Sequence, residues 1–312
     1  MKNIQQVLIS VVIPTFNHAE YLRKAISSVI NQTYKNFEVI IIDNHSTDHT
    51  REVIESFGDS RIRYLKFKNK GVIASSRNKG INESSGDWIA FLDSDDFWYK
   101  ERLARVVNIL EERDTFDVIT TDEIVRNLDD HRIRRVLRYT TNFNNFYKKM
   151  LLYGNRLSTS AVCVRKEFLT MNNILFDERK EFITVEDYDL WLRISLNGAK
   201  FKSIRSIQGE YSIHEGNSSS RENIHRTNGI NLLREHIFNI QNFDKDKEKL
   251  WSKINSRFNF NFSLKEIRKL NLIEGLKSMT VSFSKSPLFL SSYILFIIYI
   301  KTSSFIFSIF RK

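Results

Sequence analysis

The run Ile89-Ala90-Phe91-Leu92-Asp93-Ser94-Asp95-Asp96 drives a short apolar strand straight into three carboxylates. Negative charge gathered at a strand end is costly unless a positive partner sits there. Carboxylates at alternate positions of an extended segment point to the same side. They can hold a hard divalent cation directly or through its waters, leaving positions open for phosphate oxygens. The competing reading is a surface turn with helix-capping Asp, and the apolar strand just before it argues against that. The pattern predicts an enzyme that handles a nucleotide-activated substrate.

Four other clusters carry candidate chemistry, each with a structural alternative. Asp43-Asn44-His45-Ser46-Thr47-Asp48 follows a second apolar run. Its carboxylates could accept hydrogen bonds from a base or ribose, while Asn44, Ser46 and Thr47 serve equally well in turns and caps. Arg77, within Ser75-Ser76-Arg77-Asn78-Lys79-Gly80, could pair with a phosphate or lie on a solvated helix face. Gly71 reads as a turn residue, and no P-loop is present. Thr184-Val185-Glu186-Asp187 opens a helix. Spacing alone favours a capping box, with Thr184 as cap and Asp187 completing it; the alternative makes Asp187 a general base on a rigid mount. His214 ends a strand ahead of the polar loop 215–219, where a structural role competes with metal ligation.

The elements that must position these residues alternate through the first half. Strands are predicted at Ile9–Ile13 (ended by Pro14), Glu38–Ile42, Ile62–Phe67 and Trp88–Leu92. Helices between them carry Leu22, Ala25, Ile26, Val29 and Ile30, then Val53, Ile54 and Phe57, then Val72 to Asn82, at helical spacing. A βαβα order implies an α/β fold with a mostly parallel sheet covered on both faces. Ligands bind such sheets outside the carboxyl ends of the strands. Thr15-Phe16-Asn17, Asp43 to Asp48 and Asp93 to Asp96 all fall at those ends. Beyond Asp96 the pattern is mixed. It has a helix at Leu103 to Leu110, strands at Asp117–Val125 and Arg132–Arg138, and a helix near Phe143 to Tyr153. A strand around Cys163, a helix at Tyr188–Leu196, and two strands at Lys200–Ile204 and Ile207–His214 follow. From about Arg221 the chain reads as helical and strongly charged.

The 312 residues suit one large domain or a main domain with an appendage, and the formal net charge of +11 points to an anionic partner such as nucleic acid, acidic lipid or a phosphorylated substrate. The single cysteine, Cys163, sits in an apolar run; it excludes an internal disulfide and reads as a buried strand residue. No secretory leader is predicted from the first residues. The last segment, Pro287 to Ile300 and Phe305 to Phe310 around Lys301, closes on Arg311-Lys312. Each apolar run is short for a span, so in-plane attachment to a membrane is expected ahead of a true crossing or a buried helix.

Taken together these residues resemble the family 2 glycosyltransferases, the inverting nucleotide-sugar enzymes of GT-A fold. The resemblance rests on Ile9-Ser10-Val11-Val12-Ile13-Pro14-Thr15-Phe16-Asn17, Asn31-Gln32-Thr33-Tyr34, the Asp43 to Asp48 cluster, Arg77-Asn78, Phe91 to Asp96, Glu186 to Arg193, and His214. It covers roughly residues 7 to 219, in order. It implies that Thr15, Asn17 and Asp43 line the nucleoside pocket and that Arg77 lies near the diphosphate or sugar. Asp93, with Ser94, would hold the ribose or donor sugar. Asp95 would be the direct metal ligand, with His214 a second. Asp96 and Glu186 would face the sugar or acceptor, and Asp187 would be the base. One departure stands out: the second cluster often has two adjacent acids in the family, and here Asn44 follows Asp43.

The implied reaction is a single displacement with inversion, Asp187 taking the acceptor proton and Mn²⁺ or Mg²⁺ at Asp95 serving the departing diphosphate. The donor expected from the resemblance is a UDP-sugar. The basic surplus and apolar tail suggest a membrane surface, and hence a lipid-linked glycan acceptor at the cytoplasmic face of a bacterial inner membrane, for capsule, O-antigen or lipooligosaccharide. Residues 1–220 are predicted as the catalytic domain, 221–285 as a helical extension and 286–312 as the membrane-associating tail. The rival readings are a nucleotidylyltransferase, whose glycine-rich basic loop is missing after the first strand, and a nucleic-acid-binding module, for which no motif is present. No nucleic-acid partner is expected.

Overall fold

A computed structural model describes residues 7–111, 116–141, 145–214, 222–241, 243 and 246–309. The loop 215–219 and the closing Arg311-Lys312 lie outside the described residues. The chain forms two compact units: Met1–Phe146 with Leu157–Asn228, and Tyr147–Arg156 with Gly229–Lys312.

The first unit opens with β1 (Ile9–Thr15), α1 (Ala19–Ile30), β2 (Phe37–Asp43), α2 (Thr50–Glu55), β3 (Ile62–Lys66), α3 (Ile73–Glu83) and β4 (Trp88–Phe91). β1 is fully buried along its length. Its neighbours on either side, β2 and β4, run parallel to it, with Thr15 opposite Asp43 and Val12 opposite Phe91. The carboxyl ends of all three strands therefore open onto one edge. α1 packs Leu22, Ala25, Ile26 and Val29 onto the sheet. α3 crosses β1 through Gly80, where an added Cβ would lie 2.3 Å from a Val12 methyl. That close approach brings Arg77, one turn earlier, down to the strand ends.

The sheet then turns mixed. β5 (Phe97–Trp98), α4 (Arg102–Glu111), β6 (Val118–Asn127), β7 (Ile133–Leu137), α5 (Phe146–Tyr153), β8 (Val162–Arg165), α6 (Lys166–Met171), α7 (Glu186–Leu196) and β9 (Phe201–Ile213) follow. Strand order is β3-β2-β1-β4-β8-β6-β9-β5, with β7 on β6. β8 is antiparallel to both β4 and β6, while β9 is parallel to β6.

Two local expectations are corrected. Pro14 does not end β1: the Leu92 amide donates to Val12 O, so the side of β1 facing β4 runs out of partner before Pro14, where the missing N–H costs nothing. The two strands expected at 200–204 and 207–214 are one strand, β9, whose register against β6 slips between Thr121 and Glu123. Such bulges keep one strand continuous while resetting its side-chain alternation. β5 and α6 were not predicted; two and six residues are too short for a periodic signal. Cys163 is buried in β8, where burial pushes its thiol up to about 12.

The second unit contains α5, the end of α8 (Glu222–Glu235) with a π-helical turn at His236–Ile240, and three helices: α9 (Lys247–Arg268), α10 (Leu272–Lys285) and α11 (Pro287–Ile309). Leu290 and Tyr293 of α11 pack on Phe260 of α9. Among the described residues no single helix is long and apolar enough to cross a membrane; α10 and α11 pass that test only as a pair bent by 116°.

Candidate active site

Two loops are clamped together at the carboxyl ends of β1 and β2. After β1 the chain turns at Asn17, whose φ of 50° is left-handed, a conformation asparagine tolerates. The Asn17 amide donates to Ser46 Oγ at 2.8 Å, and its Oδ1 accepts the Thr47 amide at 2.8 Å. Asp43, the last residue of β2, is buried. Its Oδ1 accepts the Ser46 amide at 2.9 Å and the Ser46 hydroxyl at 2.5 Å; Oδ2 accepts the Tyr64 hydroxyl at 2.7 Å. Burial and the Asp43 carboxylate raise the Tyr64 hydroxyl well above its ordinary value. Asp43 thus organises, through Ser46, the turn for which the sequence offered Asn44 and Ser46. Thr15 Oγ1 is buried without a partner among the described residues. An unpaired buried hydroxyl at this edge suits a ligand that brings its own polar groups.

The acidic turn after β4 is closed by the Asp96 amide donating to Asp93 O at 3.0 Å. Its four residues point to different partners. Asp96 is 3% exposed and accepts the Ser160 hydroxyl at 2.5 Å and the Ser212 amide at 2.8 Å. Burial, then the charges of Asp95, Asp93 and Glu123, push its carboxyl well above the usual range. Its oxygens thus have protein partners at the position where the resemblance implies a sugar or acceptor contact. Asp93 accepts Arg77 Nη2 at 2.7 Å. Ser94 Oγ lies 3.0 Å from His18 Nδ1.

Asp95 Oδ2 and His214 Nε2 are 3.0 Å apart. The hydrogen bond to Asp95 raises the imidazole pKa, against the opposing effect of burial. The His214 ring stacks on Tyr21, with centroids 4.9 Å apart. Two donors bound cis to an octahedral cation at 2.0–2.1 Å are separated by about 3 Å, so the spacing of this pair matches two ligands of one ion once the proton they share is released. Among the described residues no group of three or more His, Cys, Asp or Glu is gathered as a closed cage. A cation here would keep open positions, as Mg²⁺ and Mn²⁺ do when they share ligands with phosphate.

The capping box expected at the start of α7 does not form. The N-cap is Val185, without a side-chain cap, and Thr184 has a φ of 74°. Thr184 instead meets His225, whose Nδ1 lies 3.0 Å from the Thr184 carbonyl oxygen. Asp187 Oδ1 accepts the next amide, of Tyr188, at 2.6 Å, and Oδ2 has a long contact of 3.5 Å from Thr159 Oγ1. Asp187 is partly exposed, at the first turn of a helix otherwise buried through Leu190, Trp191, Leu192 and Ile194.

Arg77 joins the two acidic sets. It is 3% exposed; Nη1 donates to Glu186 Oε1 at 2.8 Å while Nη2 holds Asp93. Burial alone would lower its pKa, but Asp93, Glu186 and Asp187 outweigh that and raise it. The guanidinium is thus engaged by two carboxylates and does not lie on a solvated helix face. Glu186 is 7% exposed, and its Oε2 is buried without a partner among the described residues. It lines a shallow crevice beside the start of α3 (Val72, Ile73, Ala74), together with Asp177, Arg179 and Ile183.

Sequence reasoning missed Thr159 and Ser160, on a 3₁₀ turn (Thr159–Ala161) just before β8. Ser160 Oγ accepts the Asp93 amide at 3.0 Å while donating to Asp96. The signal was the hydroxyl trio Ser158-Thr159-Ser160 ahead of an apolar strand, too common to single out. It also missed a buried layer below. Glu123 Oε2 accepts the Tyr139 hydroxyl at 3.0 Å, and Arg102 donates to Thr121. Burial pushes Glu123 up to about 7, opposed by Arg102, and lowers Arg102 to about 10.

Residues 10–173 match the family model described as glycosyl transferase family 2. Over 215 residues the chain is 31% identical to the Escherichia coli UDP-Glc:alpha-D-GlcNAc-diphosphoundecaprenol beta-1,3-glucosyltransferase WfaP, covering 69% of this chain and 81% of that protein. A second Escherichia coli enzyme named for the same reaction, WfgD, is 30% identical over 187 residues, covering 60% and 69%. Among solved structures, S. aureus TarS 1–349 with UDP-GlcNAc superposes with a TM-score of 0.64 at 21% identity, over 88% of this chain and 81% of that one. The Pyrobaculum calidifontis mannosyltransferase PcManGT with GDP-Man and Mn²⁺ gives 0.60 at 12% identity, over 92% and 79%. With its mixed sheet and its acids at parallel strand ends, this chain belongs to glycosyl transferase family 2 and has the GT-A fold.

Proposed function

We propose that this glycosyltransferase moves a sugar from a UDP-sugar to a hydroxyl of a diphosphate-lipid-linked glycan, with inversion, at the cytoplasmic face of a bacterial inner membrane during surface-polysaccharide assembly. The observation that carries the reading is the Arg77 bridge between Asp93, in the turn that also bears Asp95, and Glu186, next to Asp187. One carboxylate set suits a cation that would meet the donor diphosphate, and the other suits an acceptor proton. The donor and acceptor classes draw support from what TarS is bound to and from the names of WfaP and WfgD.

In this reading Asp187 accepts the proton of the attacking hydroxyl, worth about 10²- to 10⁴-fold in rate. Thr15, Asn17 and Asp43 bind the nucleoside, and Asp93 and Ser94 the ribose or donor sugar. Glu186 and Asp96 shape the sugar and acceptor side. Asp95 and His214 would hold Mn²⁺ or Mg²⁺, which when bound neutralises charge growing on the departing diphosphate. Arg77 holds Asp93 and Glu186 in place. Residues 1–220 form the catalytic part, 221–285 the extension and 286–312 the membrane-associating tail.

The test is a panel of nucleotide sugars, scored for thermal stabilisation with and without Mn²⁺, followed by transfer to a diphosphate-lipid-linked sugar with the product anomer read by NMR. Stabilisation by UDP-sugars with metal and an inverted anomer are expected. A retained configuration, or no response to any nucleotide sugar, overturns the reading.

A further inference from the structure

α10 is built inside out. A helix in a water-facing unit ordinarily buries its large apolar residues. In α10 the buried residues are Gly275, Ser278 and Ser282, whereas Leu272, Ile273, Leu276, Val281 and Phe283 are 40–75% exposed. Leu270, just before it, is 84% exposed.

The buried side is closed by hydroxyls. Ser278 Oγ donates to the Asn259 carbonyl at 2.9 Å, and Ser252 Oγ to the Lys285 carbonyl at 2.7 Å. Ser256 and Ser282 each donate to the other's carbonyl, at 2.7 and 2.6 Å. At Gly275 the helices lie so close that a Cβ would sit 2.6 Å from an Ile267 side-chain carbon. Close approach through small residues, with hydroxyls bonded across the seam, is how helices associate when lipid rather than water surrounds them. An exposed apolar face of this kind marks an interaction site.

Charge selects the occupant. From residue 247 to 301 the chain has ten Lys and Arg against Glu248, Glu266 and Glu274. Lys269, Lys277 and Lys285 are exposed alongside the apolar residues. A basic rim around an aliphatic face complements anionic headgroups over acyl chains. Fourteen helical residues measure about 21 Å, short of the roughly 30 Å hydrocarbon core, so α10 suits lying in the surface rather than crossing.

We propose that α10 seats in the plane of an anionic bilayer, with Leu272, Ile273, Leu276 and Phe283 among the acyl chains and Lys269, Lys277 and Lys285 at headgroup phosphates. This extends the membrane face from the apolar tail into the helical extension, and it rests on the membrane-bound acceptor proposed above.

Flotation of the full chain on vesicles tests it without any sugar transfer. Recovery is expected on phosphatidylglycerol-containing vesicles, with much less on phosphatidylcholine alone. Ile273→Glu/Leu276→Glu should weaken binding about a hundredfold, the worth of withdrawing two aliphatic side chains from lipid; Leu288→Glu/Leu295→Glu probes α11 separately. Native-like binding by the α10 variant overturns the inference, and loss in the α11 variant alone would leave the membrane-bound acceptor standing. A dimer in solution with no vesicle binding overturns it in favour of a second copy. If circular dichroism shows the α10 variant unfolded, quenching of a Leu276→Trp variant by nitroxide-labelled lipid decides: quenching above native supports the inference, and none overturns it.

Discussion

Ser160 and Asp96, 64 residues apart, share a hydrogen bond of 2.5 Å, and the same Ser160 oxygen accepts the Asp93 amide at 3.0 Å. One hydroxyl thus pins both ends of the acidic turn to the 3₁₀ turn that also carries Thr159, which reaches Asp187. Ser160→Ala leaves a buried Asp96 oxygen without this donor. The expected loss is about 1–3 kcal/mol of stability, with weaker metal-dependent binding of the nucleotide. Urea unfolding together with UDP titration in Mn²⁺ checks it; an unchanged midpoint would refute the anchoring role.

Asp187→Asn keeps the size of the side chain and removes its basicity. Turnover should fall by about 10²-fold or more while the affinity for UDP-sugar is kept. Steady-state kinetics beside calorimetric donor binding separate the two, and a fully active variant rules Asp187 out as the base.

Asp95→Ala and His214→Ala each remove one donor of the pair 3.0 Å apart. Both should raise the Mn²⁺ concentration needed for nucleotide binding, and Asp95→Ala, which loses the charged ligand, should do so more. Thermal shift with UDP across a Mn²⁺ series reads this directly. Equal metal dependence in all three proteins contradicts the assignment.

Arg77→Met leaves Asp93 and Glu186 facing each other without the buried cation between them. Breaking a buried ion pair from one side costs about 3–5 kcal/mol. Denaturant melts should show that loss even in the absence of nucleotide, because the bridge belongs to the folded protein itself.

Glu123 supplies a pH signature. Its carboxyl is raised to about 7 in the folded protein, mainly by burial. Between its ordinary value and about 7 the folded state holds a proton that the unfolded chain has lost. Stability from this group therefore declines as pH rises through that window. Glu123→Gln cannot titrate. Its stability relative to the native protein should shift in the variant's favour from pH 4.5 to 7, whatever the difference at low pH, and a flat difference across that range would be inconsistent with the raised carboxyl.

Much of this was legible in the chain because the information is local. The apolar runs that become β1, β2 and β4 and the helical spacing of Leu22, Ala25, Ile26 and Val29 specify an alternating fold, and parallel strands put Thr15, Asp43 and Asp93 at one edge by necessity. Which acid does what was not local. Asp96 and Asp95 are adjacent in sequence, yet one is closed off by Ser160 and Ser212 while the other meets His214. Arg77 could have paired with a phosphate or lain on a solvated helix face; it is buried and bridges Asp93 and Glu186. Thr184 looked like a cap, and its left-handed backbone removes it from that role. The amphipathic logic that located the core helices would also have turned α10 the wrong way round. Periodicity determines that a face exists; only packing, through Gly275 and the serines against α9, decided which face is buried.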